Sequence, residues 1–171
     1  MVSFGPRENI ISNFLWGSDS WEGKKIDKAI VKKEIDSYKV DDLRDGRRMH
    51  FMLRDAVEAG NEEIVKYLLD KGACPIVIYN NMEDTIRGEY AITDVFAEDG
   101  SLSRKLGREL ESRIFKKTLE TVEKAIGEIR ESQKSMNSDK EIADNMFGKL
   151  NENLLEKLET YKKKVSSRLK S

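Results

Sequence analysis

Two short helix-like patterns of apolar and polar residues lie at the centre of the chain, separated only by Ala59, Gly60 and Asn61. Apolar side chains of the first run form one stripe: Met49, Met52, Leu53, Ala56 and Val57. Those of the second run form another: Ile64, Val65, Leu68 and Leu69. Spacings of three and four residues predict two amphipathic helices, and each is too short to persist alone in water. Each helix must therefore bury its stripe against a neighbour.

The residues around these stripes carry the signals that end and start helices. Gly60 can adopt the left-handed conformation that commonly ends a helix, and Asn61 is a favoured N-cap residue. Glu62 and Glu63 follow in the first turn, where negative charge meets the positive end of the helix dipole. Gly72 is expected to end the second helix. The sequence thus predicts a compact helix-loop-helix unit.

This unit resembles an ankyrin repeat from Ala56 to Ala73, with Ala, Gly, Glu-Ile-Val, Leu-Leu and Gly-Ala at matching offsets. Leu53 and Ala56 also match the Thr-Pro-Leu-His-x-Ala signature of that family. Three positions of the signature differ: Phe51, Met52 and Arg54. The resemblance implies helix pairs that stack with a period of about 33 residues. It also implies protein binding through the concave face of the first helices and the projecting loops.

Weaker repeats are predicted on both sides of this unit. Downstream, residues 90–95 stand where the signature on the first helix of the next repeat falls, with Gly100 as the break, the second helix on 102–114 and extra residues in a loop at 79–88. Upstream, the amphipathic stretch 26–35 predicts the second helix of a partial repeat, preceded by a first helix at 10–16. Because fewer than three intact repeats need caps, we interpret the N-terminal aromatic residues as capping core, with a binding hot spot as the alternative.

The last third of the chain has sustained helical periodicity. Leu119, Val122, Ile126 and Ile129 follow heptad spacing, which is typical of a helix that packs along one seam. The pattern breaks at 132–141, where Ser138 and Glu141 form a capping-box signature for a second long helix. We therefore expect an antiparallel, coiled-coil-like hairpin. Its seam packs either on its own chain or on a second copy.

Composition favours thin helical layers, because 38% of the 171 residues are hydrophobic and 37% are charged. Residues 1–101 carry 14 Lys and Arg against 20 Asp and Glu, a net charge of −6, whereas residues 102–171 carry 17 against 12, a net charge of +5. The basic part alternates in sign, so we interpret it as a solvated helix face. The alternative for its basic end, 161–170, is contact with an anionic surface. We expect neither nucleic acid nor a membrane as a partner.

The sequence offers little catalytic or metal-binding chemistry. His50 is the sole histidine and Cys74 the sole cysteine, whereas a structural metal site needs several such ligands. Catalysis by a Cys-His pair would depend on these two residues, which the pattern places at opposite ends of one unit. We expect no enzymatic activity, no metal and no cofactor. A single cysteine fits a reducing, cytoplasmic compartment, and the sequence shows neither a secretory signal nor a membrane span.

We therefore predict an all-α protein: a short, divergent ankyrin-like helical stack with a C-terminal helical hairpin. Its expected segments are an N-terminal cap or partial repeat at 1–40, the repeats at 41–115 and the hairpin at 116–171. The predicted function is binding of another protein. The first helix offers three candidate contacts, Arg54, Asp55 and Glu58. The loops offer six more: Arg47, Arg48, Tyr79, Asn80, Asn81 and Met82. For each of these residues, solvated surface is the alternative interpretation.

Two other functions fit the sequence. The seam 119–169 predicts a homo-oligomer if it joins two copies of the chain, which would make the protein a structural or oligomerising one. Richness in Lys, Glu, Ile and Asn is typical of an AT-rich genome, and with the divergent repeats it suggests an effector that an intracellular microbe secretes into a host cytosol.

Overall fold

The computed structural model describes residues 14–15, 20–21, 24–25, 27–80, 90–96, 102–136 and 146–170. These residues are mostly helical, which confirms the predicted all-α class. The labelled helices are α1 Lys28–Asp36, α2 Leu43–Glu58, α3 Glu62–Lys71, α4 Leu102–Met136 and α5 Met146–Lys170. Short strands form two pairs, β1 Ser20–Trp21 with β2 Lys24–Lys25, and β3 Ile76–Asn80 with β4 Tyr90–Asp94.

The chain divides into two compact units. One comprises Met1–Pro75 with Asp94–Glu111, and the other comprises Ile76–Thr93 with Ser112–Ser171. Helix α4 therefore contributes residues to both. The predicted segments 1–40, 41–115 and 116–171 stay a prediction.

Side-chain caps fix where the helices of the first unit begin. Asp27 accepts a hydrogen bond from the backbone N–H of Ile30 at the start of α1, and Asn61 accepts one from Ile64 at the start of α3. The predicted cap at Asn61 is confirmed. Gly60 and Gly72 adopt positive φ angles of 68° and 111°, the left-handed conformation that glycine enters without steric cost.

Helix α3 packs against both α2 and α1, and the stripes predicted from the sequence are buried there. Every apolar residue of the two central stripes lies in this core, together with two residues of α1: Val31 and Ile35. Lys28 and Lys32 of α1 also reach Glu63 of α3, with Nζ–Oε distances of 2.5 and 3.1 Å. The helix-loop-helix unit and the amphipathic helix upstream of it are confirmed, although residue 26 lies outside the described part.

The expected first helix of a second repeat is wrong. Residues 90–94 form strand β4, which pairs with β3. The physical reason is composition: Tyr90-Ala-Ile-Thr and Ile76-Val-Ile-Tyr are rich in β-branched and aromatic residues, which fit a pleated surface. Pairing of distant segments outweighs the weak helical resemblance. The predicted break at Gly100 lies outside the described residues.

Helices α4 and α5 form the predicted antiparallel hairpin. Val122 and Ile126 of α4 are buried, as are Leu154, Leu158 and Val165 of α5, so these seam residues are covered within one chain, whereas Leu119 and Ile129 are half-buried. Arg130 lies 2.6 Å from Glu159, and Lys162 lies 3.8 Å from Glu123. Earlier residues of α4 thus meet later residues of α5. The capping-box pair at 138 and 141 lies outside the described residues.

Helix α4 is not regular throughout. Gly107 has φ 76° and ψ 165°, which interrupts the helical torsions one and a half turns after Leu102. Leu102, Leu106, Leu110 and Ile114 are nevertheless all buried, as expected for the helix predicted there.

Candidate protein-binding surface

Helix α2 carries five of the nine residues predicted to bind a partner. Arg54 and Asp55 are half-buried and Glu58 is exposed. Arg47 and Arg48 were expected in a loop, and that placement is wrong, because α2 begins at Leu43. The Asp42 carboxylate starts the helix early by accepting hydrogen bonds from the backbone N–H groups of residues 44 and 45.

The other four predicted residues lie around the second strand pair. The backbone of Tyr79 and Asn80 belongs to β3, so their expected placement in a loop is also wrong. Asn81 and Met82 lie outside the described residues. The structure therefore brings five of the nine predicted residues together on α2.

An open pocket of about 130 Å³ lies beside α2 and includes two of the predicted residues, Arg54 and Glu58. The other lining residues come from α2, the end of β4 and the start of α4: Val57, Asp94, Val95, Phe96, Leu102 and Lys105. Val57, Val95, Phe96 and Leu102 are buried and supply an apolar floor. Two basic and two acidic side chains surround that floor. An apolar recess with a few charged groups is the usual form of a binding site.

Arg54 is held in place on one side of this pocket. Its guanidinium carbon lies 5.0 Å from the centroid of the Phe51 ring, a cation–π arrangement. Its Nε atom is buried without a hydrogen-bond partner among the described residues. A buried donor without a partner carries a desolvation cost of about 1–3 kcal/mol.

Lys105, another lining residue of the pocket, joins α4 to the end of α2. Its ammonium donates a hydrogen bond to the backbone carbonyl of Glu58 at 3.3 Å. An added Cβ at Gly60 would lie 3.7 Å from the carbonyl oxygen of Lys105. The chain segments that form this side of the pocket are therefore in van der Waals contact.

His50 lies in the core behind the pocket. It is fully buried, and its Nδ1 donates a hydrogen bond to the carbonyl oxygen of Cys74 at 2.8 Å. Burial lowers the pKa of His50 below its ordinary value, and Arg54 lowers it further, whereas the Cys74 hydrogen bond and the Asp94 carboxylate oppose the shift. Arg54 and Asp94 thus line the pocket and also shift the pKa of the His50 imidazole.

The expected separation of His50 and Cys74 is wrong, because the turn at 59–61 folds α3 back along α2 and returns Cys74 to the middle of α2. The contact uses the backbone carbonyl of Cys74. Among the described residues, acidic, histidine and cysteine side chains form no group that could hold a metal ion. None of the helices in the described ranges combines the length and the apolar character that crossing a membrane requires.

Sequence reasoning missed the lining residues at and after the end of the second strand pair. Asp94, Val95 and Phe96 were assigned to a helix or left out. They meet α2 because the Val95 backbone N–H donates to the Pro75 carbonyl at 3.1 Å. A hydrogen bond between segments 20 residues apart leaves no periodic signal in the sequence. Lys105 lies three residues after Leu102, and nothing in the sequence except its charge indicates that it lines a pocket.

Comparison of the chain with protein-family models, with curated proteins and with solved structures gives no match.

Proposed function

We propose that the protein is a protein-interaction module in which α2 and the pocket beside it bind a segment of another protein. The observation that carries this proposal is the pocket itself, which joins an apolar floor to Arg54, Glu58, Asp94 and Lys105. A partner side chain can fill the floor while its polar groups meet these four charges. The resemblance of residues 56–73 to an ankyrin repeat supports the same use of the first helix.

A cytoplasmic location of the protein is part of the same proposal. A single cysteine, Cys74, suits a reducing environment such as the cytoplasm. A cytosolic partner is therefore the expected one, whether the chain acts in its own cell or as an effector in another.

Site-specific photo-crosslinking tests the proposal. A photoreactive amino acid at Glu58, which is exposed and lines the pocket, is expected to capture a partner in the cytosol of the producing cell. The same probe at Lys66, which is exposed on α3 and does not line the pocket, is the matched control. Adding Arg54→Ala to the Glu58 probe should reduce capture at least about 30-fold, because hot-spot arginines contribute about 2 kcal/mol or more.

Equal capture from positions 58 and 66 would contradict the proposal, as would capture that Arg54→Ala leaves unchanged. Circular dichroism of each variant shows whether a loss of capture follows from unfolding.

A further inference from the structure

The hairpin of α4 and α5 gathers positive charge at one of its ends. Three contacts fix the register of the two helices: Arg130 with Glu159 at 2.6 Å, Glu123 with Lys162 at 3.8 Å, and Phe115 with Arg168 at 5.8 Å from ring centroid to guanidinium carbon. Residues 115–123 of α4 therefore run alongside 162–168 of α5. The first part of α4 in this unit and the last part of α5 are neighbours.

We call residues 112–119 of α4 and 161–170 of α5 the basic end. It contains eight Lys and Arg and lacks Asp and Glu. Its cations are Arg113, Lys116, Lys117, Lys162, Lys163, Lys164, Arg168 and Lys170. Residues 120–136 and 146–160, which form the rest of the two helices within this unit, contain five Lys and Arg and seven Asp and Glu. Even with Glu111, Glu120 and Glu123, which flank residues 112–119 in the sequence, the basic end keeps a net charge of +5.

This concentration of charge arises from folding. Along the sequence, the charges of the last third alternate and predict an ordinary solvated face. The antiparallel register instead brings two basic segments together that are separated by more than 40 residues. Positive charges clustered on neighbouring helical segments raise the local electrostatic potential and attract anions.

The basic end is a charged surface over a filled core. Lys116, Lys163 and Lys170 are exposed, and the other five cations are half-buried. Ile114, Leu158 and Val165 are fully buried beneath them. Leu158 and Val165 of the apolar stripe of α5 are therefore already covered, so these two side chains are not available to insert into a lipid bilayer as the apolar face of an amphipathic helix does.

Aromatic side chains at this end are also covered. Phe115 is 2% exposed and Tyr161 is half-buried, so neither forms the open stacking platform that binds bases of single strands. What remains available is positive charge. The macromolecule whose chemistry fits is one with a dense, regular array of phosphates, since duplex DNA carries one charge per about 1.7 Å of its axis.

We propose that the basic end binds the phosphate backbone of double-stranded nucleic acid without reading its sequence. This interaction is independent of the pocket beside α2, since all its residues belong to the second unit. Lys and Arg contacts to phosphates position a protein on a duplex, and specificity would need contacts to base edges.

Fluorescence anisotropy of the full chain with a labelled duplex DNA of about 20 base pairs tests the proposal. Because each neutralised phosphate contributes about −0.9 to the slope of log K against log salt, five contacts predict a slope of about −4.5. Two duplexes of unrelated sequence should bind with equal affinity. Binding that differs more than about tenfold between them would overturn the sequence-independent part of the proposal.

Two triple variants provide the matched comparison. Lys116→Glu, Lys163→Glu and Lys170→Glu change three exposed lysines of the basic end. Lys124→Glu, Lys134→Glu and Lys157→Glu change three exposed lysines elsewhere on the same helices. Both variants alter the net charge equally. We expect the first to weaken binding at least about 100-fold and to flatten the salt slope by about 3, and the second to weaken it less than about fivefold.

Three results would overturn the proposal. One is absence of duplex binding at about 50 mM salt, and another is an equal loss in both triple variants when circular dichroism shows both folded. The third is binding to phosphatidylcholine vesicles with about 30 mol % phosphatidylserine while the duplex stays unbound, which would assign the basic end to a membrane surface. Retained crosslinking from position 58 in the first variant separates this surface from the proposed pocket.

Discussion

At the scale of one residue, the imidazole of His50 joins two parts of the first unit. The Nδ1 of His50 on α2 donates to the Cys74 carbonyl just after α3, and the next peptide carbonyl, that of Pro75, accepts from Val95. These two hydrogen bonds hold the segment 74–75 against α2 and the end of β4. Because His50 is fully buried, its neutral form is the one that suits this position.

The stability of the protein should therefore fall in mild acid. The pKa of His50 is lowered in the folded state, so below about pH 6.5 the unfolded chain binds a proton that the folded chain does not. The contribution of His50 to the free energy of unfolding is therefore fully present above that pH. It decreases as the pH falls toward the pKa of the folded state, by up to about 1.4 kcal/mol per pH unit. Urea denaturation at pH 7.5, 6.5 and 5.5, values chosen about the ordinary histidine pKa, measures this slope.

His50→Gln provides the comparison for that measurement. Glutamine can donate a hydrogen bond to the Cys74 carbonyl and does not titrate. Since the chain contains one histidine, the variant should lose most of the slope between pH 5.5 and 7.5, a window about the histidine pKa. An unchanged slope in His50→Gln would show that other groups cause the acid sensitivity.

At the scale of elements, the helices could be predicted from the sequence and the strands could not. Stripes such as Ile64, Val65, Leu68 and Leu69 repeat every three or four residues, so a local window contains the full signal. Strand β4 depends on pairing with β3 some ten residues away, and the lining of the pocket depends on the Val95–Pro75 hydrogen bond. The basic end could not be predicted from the sequence either, because it depends on the register between α4 and α5.

Helix α3 should be the most sensitive element of the first unit, since it packs against both α1 and α2. Leu68 is fully buried between them, so Leu68→Ala should lower the free energy of unfolding by about 2–5 kcal/mol through lost burial and a cavity. Lys66→Ala, an exposed position on the same helix, should change it by less than about 0.5 kcal/mol. Guanidinium denaturation measures both, and similar losses would contradict the proposed packing role of α3.

At the scale of the whole molecule, the hairpin buries several residues of its own seam. Val122, Ile126, Leu158 and Val165 are buried within one chain, so an association of two copies through this seam would have to replace contacts that already exist. We expect a single chain in solution. Size-exclusion chromatography with light scattering should give a mass near 19.7 kDa, independent of protein concentration. A mass twice as large would favour the alternative that the protein is an oligomerising one.

The interruption in α4 makes one position intolerant of substitution for an unusual reason. A Cβ added at Gly107 meets no other atom within 4 Å, so space does not restrict the side chain. The torsions do, because φ 76° with ψ 165° is a region that only glycine enters readily. An alanine there would adopt helical torsions and redirect the opening turn of α4. We expect this change to reduce the burial of Leu102 and Leu106 even though an added Cβ meets no other atom within 4 Å.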